Sequence, residues 1–351
     1  MEGYNSTYDT STNYIISCDS QCSYSNEVFL NIPYISLYDS CQINLWANNE
    51  ILNYKYDLLY NIDDIRETSQ KELNALTTFY LDLNGDIWIN NNNWNTGDPC
   101  INNWYGIICN KRGNIIGINF DENNLHGILS DNVIQNLTYL KYIRLYNTHF
   151  ENNLNYSNSI FYISNKLFYL ENLQEIVIKN VKLQQNLSNI IQISNTNNNL
   201  EIIDLSFNYI FGNLVNFSNY VNLKEINLSN NNLSGDLSFL NSLSSTIKNI
   251  IIYNNFFNGE LPSLDNLNDN LEFLDLRNNT NLNGSIQDNF YSENFFPNLK
   301  YLGLMLTKIN VPYQCQNSPF CIKKYFKNNK SIYDNDFNLT DNEIQFLIER
   351  N

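Results

Sequence analysis

The chain has 351 residues, 43% hydrophobic and 16% charged, with a mean hydropathy of −0.38, which is enough apolar matter for a substantial core and too little for a membrane-embedded chain. Its formal net charge of −16 and pI near 4.4 repel phosphate backbones, so nucleic acid and anionic lipid surfaces are set aside as partners.

Taken from the N-terminus, no run approaches the roughly 18 consecutive apolar residues of a spanning helix. The nearest, VFLNIPYISL at 28–37, is broken by Asn31 and Pro33, so no direct membrane insertion is expected. The first twenty residues lack the basic start and apolar centre of a secretory signal, which predicts either a protein that is not secreted or a start other than the native one. Residues 1–68 are an extension of unknown fold that carries Cys18, Cys22, Cys41 and Trp46. Three cysteines there leave one without a mate.

Ser69 and Glu72 then form a capping-box pattern, and Leu73, Leu76, Tyr80 and Leu83 recur at helical spacing, predicting a short amphipathic helix. Behind it comes WNTGDPCINNWYGIICN, Trp94 to Asn110. Cys100 and Cys109 in this stretch admit three readings: a metal site, a redox pair or a staple. Zinc would need further Cys or His ligands at suitable spacing, and His126 and His149 are the only histidines. Redox catalysis calls for Cys-x-x-Cys, which is absent.

From residue 114 the apolar positions fall into a repeat of eight phases. They begin at Ile115, Leu140, Leu173, Leu200, Leu223, Ile247, Leu271 and Leu299, with spacings near 24 residues and one insertion around 156–168. Asparagine makes up about a fifth of the chain, and codon bias would produce much of that excess. Asparagines at fixed spacing carry more weight: Asn123, Asn208, Asn231, Asn255 and Asn279 fall at one phase, where a buried amide would pair backbone groups at a turn. Thr148 and Thr307 can still donate or accept there, whereas Val181 cannot. Gly127, Gly212, Gly235, Gly259 and Gly284 share a second phase, replaced elsewhere by Asn152, Gln185 and Val311. The third repeat is therefore expected to be the weakest. An extra residue after Asn279 predicts a local bulge.

The pattern L-x-x-L-x-L-x-x-N-x-L-x-G resembles the plant-type leucine-rich repeat family over about 200 residues. The run 72–109 resembles that family's N-terminal cap in its helix, tryptophans and two cysteines. The resemblance implies an α/β-type right-handed solenoid with a parallel sheet on its concave face and a cap at each end. The expected organisation is an extension at 1–68, a cap at 69–113, about eight repeats at 114–311, and a C-terminal cap and tail at 312–351.

In that light Cys100 and Cys109 staple the cap, a small loop whose closure contributes on the order of 2.5 kcal/mol in the chain-entropy model. By the same logic Cys315 and Cys321 pin the C-terminal cap, and Thr340 and Glu343 open one more short helix. Disulfides belong to oxidising compartments, which favours the cell surface or exterior over a cytoplasmic life with reduced cysteines. Eleven Asn-x-Ser/Thr sequons add little in a chain this rich in Asn.

Strand residues turned away from the core line the concave sheet in three rows, where repeat proteins commonly bind. Tyr142, Tyr146, Tyr253, Phe273 and Tyr301, with Arg144 and Arg277 beside them, are the side-chain types that dominate binding energy. Lys179, Asp204, Ser206 and Asp275 complete the expected contact set. Asp204 and Asp275 stand three strands apart, roughly 14 Å, too far for a glycosidase pair. Asp204 with Glu225 is closer, but an open sheet is expected neither to exclude water nor to raise a carboxyl pKa. The sequence thus points to a non-enzymatic recognition module for a protein, peptide or glycan, with no metal or cofactor and with oligomeric state open. The alternatives are an intracellular scaffold and a glycan-acting hydrolase. The resemblance implies receptor ectodomains and secreted inhibitors as relatives.

Overall fold

A computed structural model of the protein describes residues 66–147, 159–191, 199–267, 269–285, 296–299 and 301–310, with the backbone of four strands nearer the N-terminus. Those strands pair antiparallel, β1 (Thr7–Asp9) with β2 (Tyr14–Ile16) and β3 (Gln42–Ala47) with β4 (Glu50–Lys55). Cys18, Cys22, Cys41, Thr148, His149, Asn152, Val311, Cys315, Cys321 and the helix expected from Thr340 lie outside the described residues. The chain forms two compact units, 1–73 with 92–116, and 74–91 with 117–351.

In the first unit the capping box is made at the start of α1 (Gln70–Asp82). The Glu72 amide donates to Ser69 Oγ at 3.3 Å, and Ser69 Oγ donates to Glu72 Oε2 at 2.8 Å. The other oxygen of Glu72 accepts from the Ile115 amide at 3.0 Å, tying the helix start to the first repeat strand. Cys100 and Cys109 are disulfide-bonded with Cα atoms 5.7 Å apart, so of the three readings the staple holds. Asp98 organises the loop between them, accepting from the Cys100 and Ile101 amides at 2.8 and 3.0 Å. Trp94 and Trp104 pack with centroids 4.9 Å apart, and each indole N–H reaches a backbone carbonyl. Beyond the loop, β5 (Ile107–Cys109) turns back through Asn110–Asn114.

The second unit opens with the rest of α1. Its buried stripe is Ala75, Leu76, Phe79, Tyr80 and Leu83. Leu73, expected in that stripe, is only half-buried, because Ala75 and Phe79 rotate the face. Trp88 packs edge-on to Phe79 at 5.8 Å and lies 5.1 Å from Phe120 of the first repeat.

The repeats then stack as a parallel ladder in chain order. Its strands are β6 (Ile115–Asp121), β8 (Tyr142–Tyr146), β10 (Glu175–Lys179), β11 (Ile202–Asp204), β13 (Glu225–Asn227), β15 (Asn249–Ile251), β17 (Phe273–Asp275) and β19 (Tyr301–Gly303). Side chains alternate as a pleat requires: Ile118 and Phe120, Ile226 and Leu228, and their equivalents are fully buried, with the residues between them on the other face. A second parallel sheet, β12 (Phe211–Asn213), β14 (Asn232–Gly235), β16 (Phe256–Glu260) and β18 (Asn281–Asn283), runs along the later repeats. The early repeats instead pair β7 (His126–Leu129) with β9 (Ser159–Ile163), the latter formed from the insertion.

The repeat asparagines do what their phase predicts. Asn231 Nδ2 donates to the Leu205, Leu228 and Ser229 carbonyls at 3.0–3.2 Å, and its Oδ1 accepts from the Ile210 amide at 2.9 Å. Asn208, Asn255 and Asn279 repeat this arrangement one coil at a time. Thr307 also serves, donating to the Leu304 carbonyl at 2.7 Å. The third repeat is less impoverished than its sequence implies. The Val181 amide donates to Asn208 of the following coil at 3.1 Å, and Gln185 exchanges two hydrogen bonds with the backbone of Ile163 at 3.1 and 3.2 Å. The glycine phase adopts positive φ throughout; at Gly127 a Cβ would also lie 1.9 Å from the Asp82 carbonyl oxygen.

The bulge expected after Asn279 is not where the register breaks. Thr280 is absorbed in the turn, and β16 and β18 pair without a shift. The irregularity sits between Gly127 and Ile128, where Phe161 of the insertion strand is skipped.

Candidate functional site

The ladder register brings the expected rows together. Gly117, Tyr142, Glu175, Ile202, Glu225, Asn249, Phe273 and Tyr301 are successive neighbours across the concave face, and so are Asn119, Arg144, Val177, Asp204, Asn227, Ile251, Asp275 and Gly303. Asp204 and Asp275 are three strands apart, as expected. Asp121, Tyr146 and Lys179 begin the third row.

Three local groupings stand on this surface. In the first, Arg144 makes a two-pronged ion pair with Glu175, Nε to Oε1 at 2.6 Å and Nη2 to Oε2 at 2.7 Å, and lies 5.4 Å from the Tyr142 ring centroid. That pairing, which outweighs the burial opposing it, holds the guanidinium pKa above its ordinary value. Tyr146 stands half-buried two positions further along the same strand.

The second grouping is acidic. Burial pushes the Asp204 carboxyl upward in pKa, against the pull of Lys179 and the Ser206 hydrogen bond. Burial likewise pushes Glu225 up to about 7, with Asp204 and Glu175 adding repulsion and an Asn249 hydrogen bond at 2.9 Å working against it. This corrects the expectation that an open sheet leaves its carboxyls unperturbed. Long side chains on either side of each strand shield the carboxyls from water, so a sheet without a walled pocket still desolvates them.

The third grouping is aromatic. Phe273 and Tyr301 stack with centroids 4.3 Å apart and planes 9° from parallel. Tyr253 and Ile251 pack with Phe273, and Phe207 and Tyr301 close the cluster. Arg277 lies 5.2 Å from the Tyr253 centroid and 5.8 Å from that of Tyr301, while its Nη2 meets Asp275 Oδ2 at 2.7 Å. Burial opposes the charge on Arg277, but Asp275 overcomes it and raises the guanidinium pKa. The Tyr301 hydroxyl is also raised, by burial and by Asp275.

Not every expected contact residue is open to a ligand. Asp275 and Ser206 are both 0% exposed. Asp275 Oδ1 accepts from the Arg277 amide at 3.1 Å, and Asp204 Oδ1 from the Ser206 amide at 2.9 Å, so both carboxylates close the turn that ends their strand. Lys179, Tyr253 and Phe273 are nearly buried among concave neighbours, which leaves Tyr142, Arg144, Tyr146, Arg277 and Tyr301 as the more open members.

Phe207 was not among the residues expected from the sequence, Glu175 was expected only as a row member, and Glu225 only as the partner of Asp204 in a rejected carboxylate pair. Phe207 has φ +56, a left-handed conformation that a bulky side chain rarely adopts. Asn180, Asn230, Asn254 and Asn278 hold the same conformation, at φ 53 to 55. A phenylalanine interrupting a column of asparagines was the available signal. The Lys179 ammonium lies 5.5 Å from the Phe207 centroid, joining the second grouping to the third.

Residues 69–110 match the family model of the leucine rich repeat N-terminal domain. The repeat ladder that follows this segment in the sequence has the leucine-rich repeat fold. Among solved structures, a plant ice-binding protein is 21% identical with a TM-score of 0.52, over 70% of this chain and 81% of that one. The Arabidopsis receptor kinase HAESA, in complex with the peptide hormone IDA and the co-receptor SERK1, is 21% identical with a TM-score of 0.54, over 69% of this chain and 38% of that one. The PEPR1–AtPEP1 complex gives 17% identity and a TM-score of 0.50, over 69% and 42%. The match thus spans less than half of either receptor chain, and the likeness in all three is one of fold. No curated protein matches this sequence. Among the described residues, no helix is long and apolar enough to cross a membrane.

Proposed function

We propose that the concave sheet is a recognition surface for a protein or peptide segment that crosses strands β8 to β19. The observation that carries this is the aromatic grouping: Tyr301, Phe273, Tyr253 and Arg277 form one packed platform on a face that the core does not require. Aromatic side chains and arginine in a semi-desolvated cluster are the usual anchors of an interface. The acidic grouping beside it sets the ligand's chemistry. Glu225, with Asp204 diagonally beside it on the next strand, favours a basic side chain, and the strong negative charge of the whole chain steers the same kind of partner.

Two further points belong to this reading. HAESA, similar in fold, is complexed with the peptide hormone IDA, which supports a peptide as the ligand class here. The bonded Cys100 and Cys109 support an oxidising location at the cell surface or exterior, with receptor-like signalling or inhibition as the context.

Selection from a random peptide display library tests the proposal. Enriched peptides should pair a basic residue with an aromatic or aliphatic one and should weaken about tenfold against Tyr301→Ala. Peptides that bind Tyr301→Ala and Tyr142→Ala as well as the parent protein would move recognition off this face.

A further inference from the structure

A second feature lies at one edge of the ladder, where the concave strands turn toward β12, β14, β16 and β18. Asn278 Nδ2 donates to Asn254 Oδ1, and Asn254 Nδ2 to Asn230 Oδ1, both at 2.6 Å. This is a side-chain ladder distinct from the buried repeat asparagines. It stops at Asn230, because the preceding coil carries Phe207 at the equivalent position, and the Asn230 Nδ2 is shielded from solvent with no partner among the described residues. A buried donor left unmade costs about 1–3 kcal/mol, so an orphan of this kind calls for an explanation.

The ladder forms the floor of a shallow groove of about 360 Å³. Tyr209 and Phe256 flank it, 54% and 59% exposed, one on either side of the coil bearing Asn232. No charged residue lines the groove, although the chain as a whole is strongly acidic. Amides offer both donors and acceptors, whereas the exposed rings offer flat apolar faces.

We infer that this groove binds a neutral oligosaccharide. Its sugar rings stack on Tyr209 and Phe256 through their C–H faces. Its hydroxyls exchange hydrogen bonds with the amides of Asn254 and Asn232, and a turn of the Asn230 side chain brings its orphaned donor out to one of them. A charged polymer gains nothing here, because the groove supplies no counter-charge. The site is separate from the concave face and does not depend on what binds there.

The test uses the full chain made in a host without N-glycosylation, since Asn232 opens the sequon Asn232-Leu233-Ser234. Cellotetraose, laminaritetraose and chitotetraose are titrated by calorimetry and ligand-observed NMR, with trigalacturonate as the charged control. At least one neutral oligomer should bind with a Kd of roughly 0.1–1 mM. Phe256→Ala and Tyr209→Ala, both at exposed positions that leave the fold intact, should each weaken it about tenfold. Phe207→Asn, which gives Asn230 an acceptor within the protein, should weaken it as well, and Tyr301→Ala on the concave face should not. Failure of every neutral oligomer at about 10 mM, or equal affinity for Phe256→Ala and the parent, would overturn the inference.

Discussion

Asp275 is wholly covered, and Arg277, two residues on, supplies its counter-charge through Nη2 at 2.7 Å and Nε at 2.9 Å while lying against Tyr253 and Tyr301. The carboxylate holds the guanidinium, and the guanidinium lies against both rings. Arg277→Ala strands a buried carboxylate and should lower stability by about 3–5 kcal/mol. Arg277→Lys keeps the charge but loses the fork, and should fall between the two. Urea unfolding followed by tyrosine fluorescence measures both. Equal midpoints for Arg277→Ala and the parent would show that Asp275 is neutral or solvated instead.

Glu225 makes stability depend on pH. Its folded pKa of about 7 lies above the ordinary 4.5, so between these values the folded state binds more protons than the unfolded one. The contribution is therefore greatest at acid pH and is lost as pH rises through 7, by up to roughly 3 kcal/mol before solvent screening reduces it. Asp204 is shifted in the same direction. Glu225→Gln should flatten the fall in urea midpoint between pH 5 and 8 without abolishing it. A basic peptide prefers ionised Glu225, so its affinity for the parent should rise over the same interval.

Asn255 supports two coils at once. Its amide group satisfies the Leu228, Ile252 and Tyr253 carbonyls and the Leu233 amide. Asn255→Leu conserves volume but leaves these groups unmade in the interior, and should cost about 2–4 kcal/mol. The exposed Asn258→Leu, three positions later and at ordinary φ, should cost well under half of that. Thermal unfolding of the two variants side by side makes the comparison.

The bond between Cys100 and Cys109 should leave at most five of the seven cysteines free in a thiol count under denaturing, non-reducing conditions. Replacing both by serine should cost about 2.5 kcal/mol. Hydrogen exchange should locate the loss in residues 92–116.

Phe207 holds a conformation that suits asparagine. Phe207→Asn should relieve about 1 kcal/mol of backbone strain and give Asn230 a partner, while removing one wall of the aromatic cluster. Stability should change by less than about 1 kcal/mol and concave-face peptide binding should weaken several-fold, read by unfolding and by calorimetry.

Most of the fold was legible because a solenoid is nearly one-dimensional: each coil meets only its neighbours, so a period read along the chain is also a contact map. The inward leucines, the buried asparagines and the glycine phase follow from that, and so does the register aligning Tyr142 with Tyr301 across the sheet. The helix stripe was offset because Ala75 and Phe79 do not stand out against Leu73 in a leucine pattern. The bulge was misplaced because an inserted residue can be taken up by a turn, as Thr280 is, as readily as by a strand.

Sequence alone determined which side of each strand faces the core, where the cap begins and which residues share a row, since alternation and period are properties of the chain itself. Only the tertiary structure decided which members of a row remain open. Exposure depends on the length and direction of side chains from coils 24 or more residues away, and these cover Asp275 and Ser206, lift the pKa of Glu225 and leave Tyr209 and Phe256 bare.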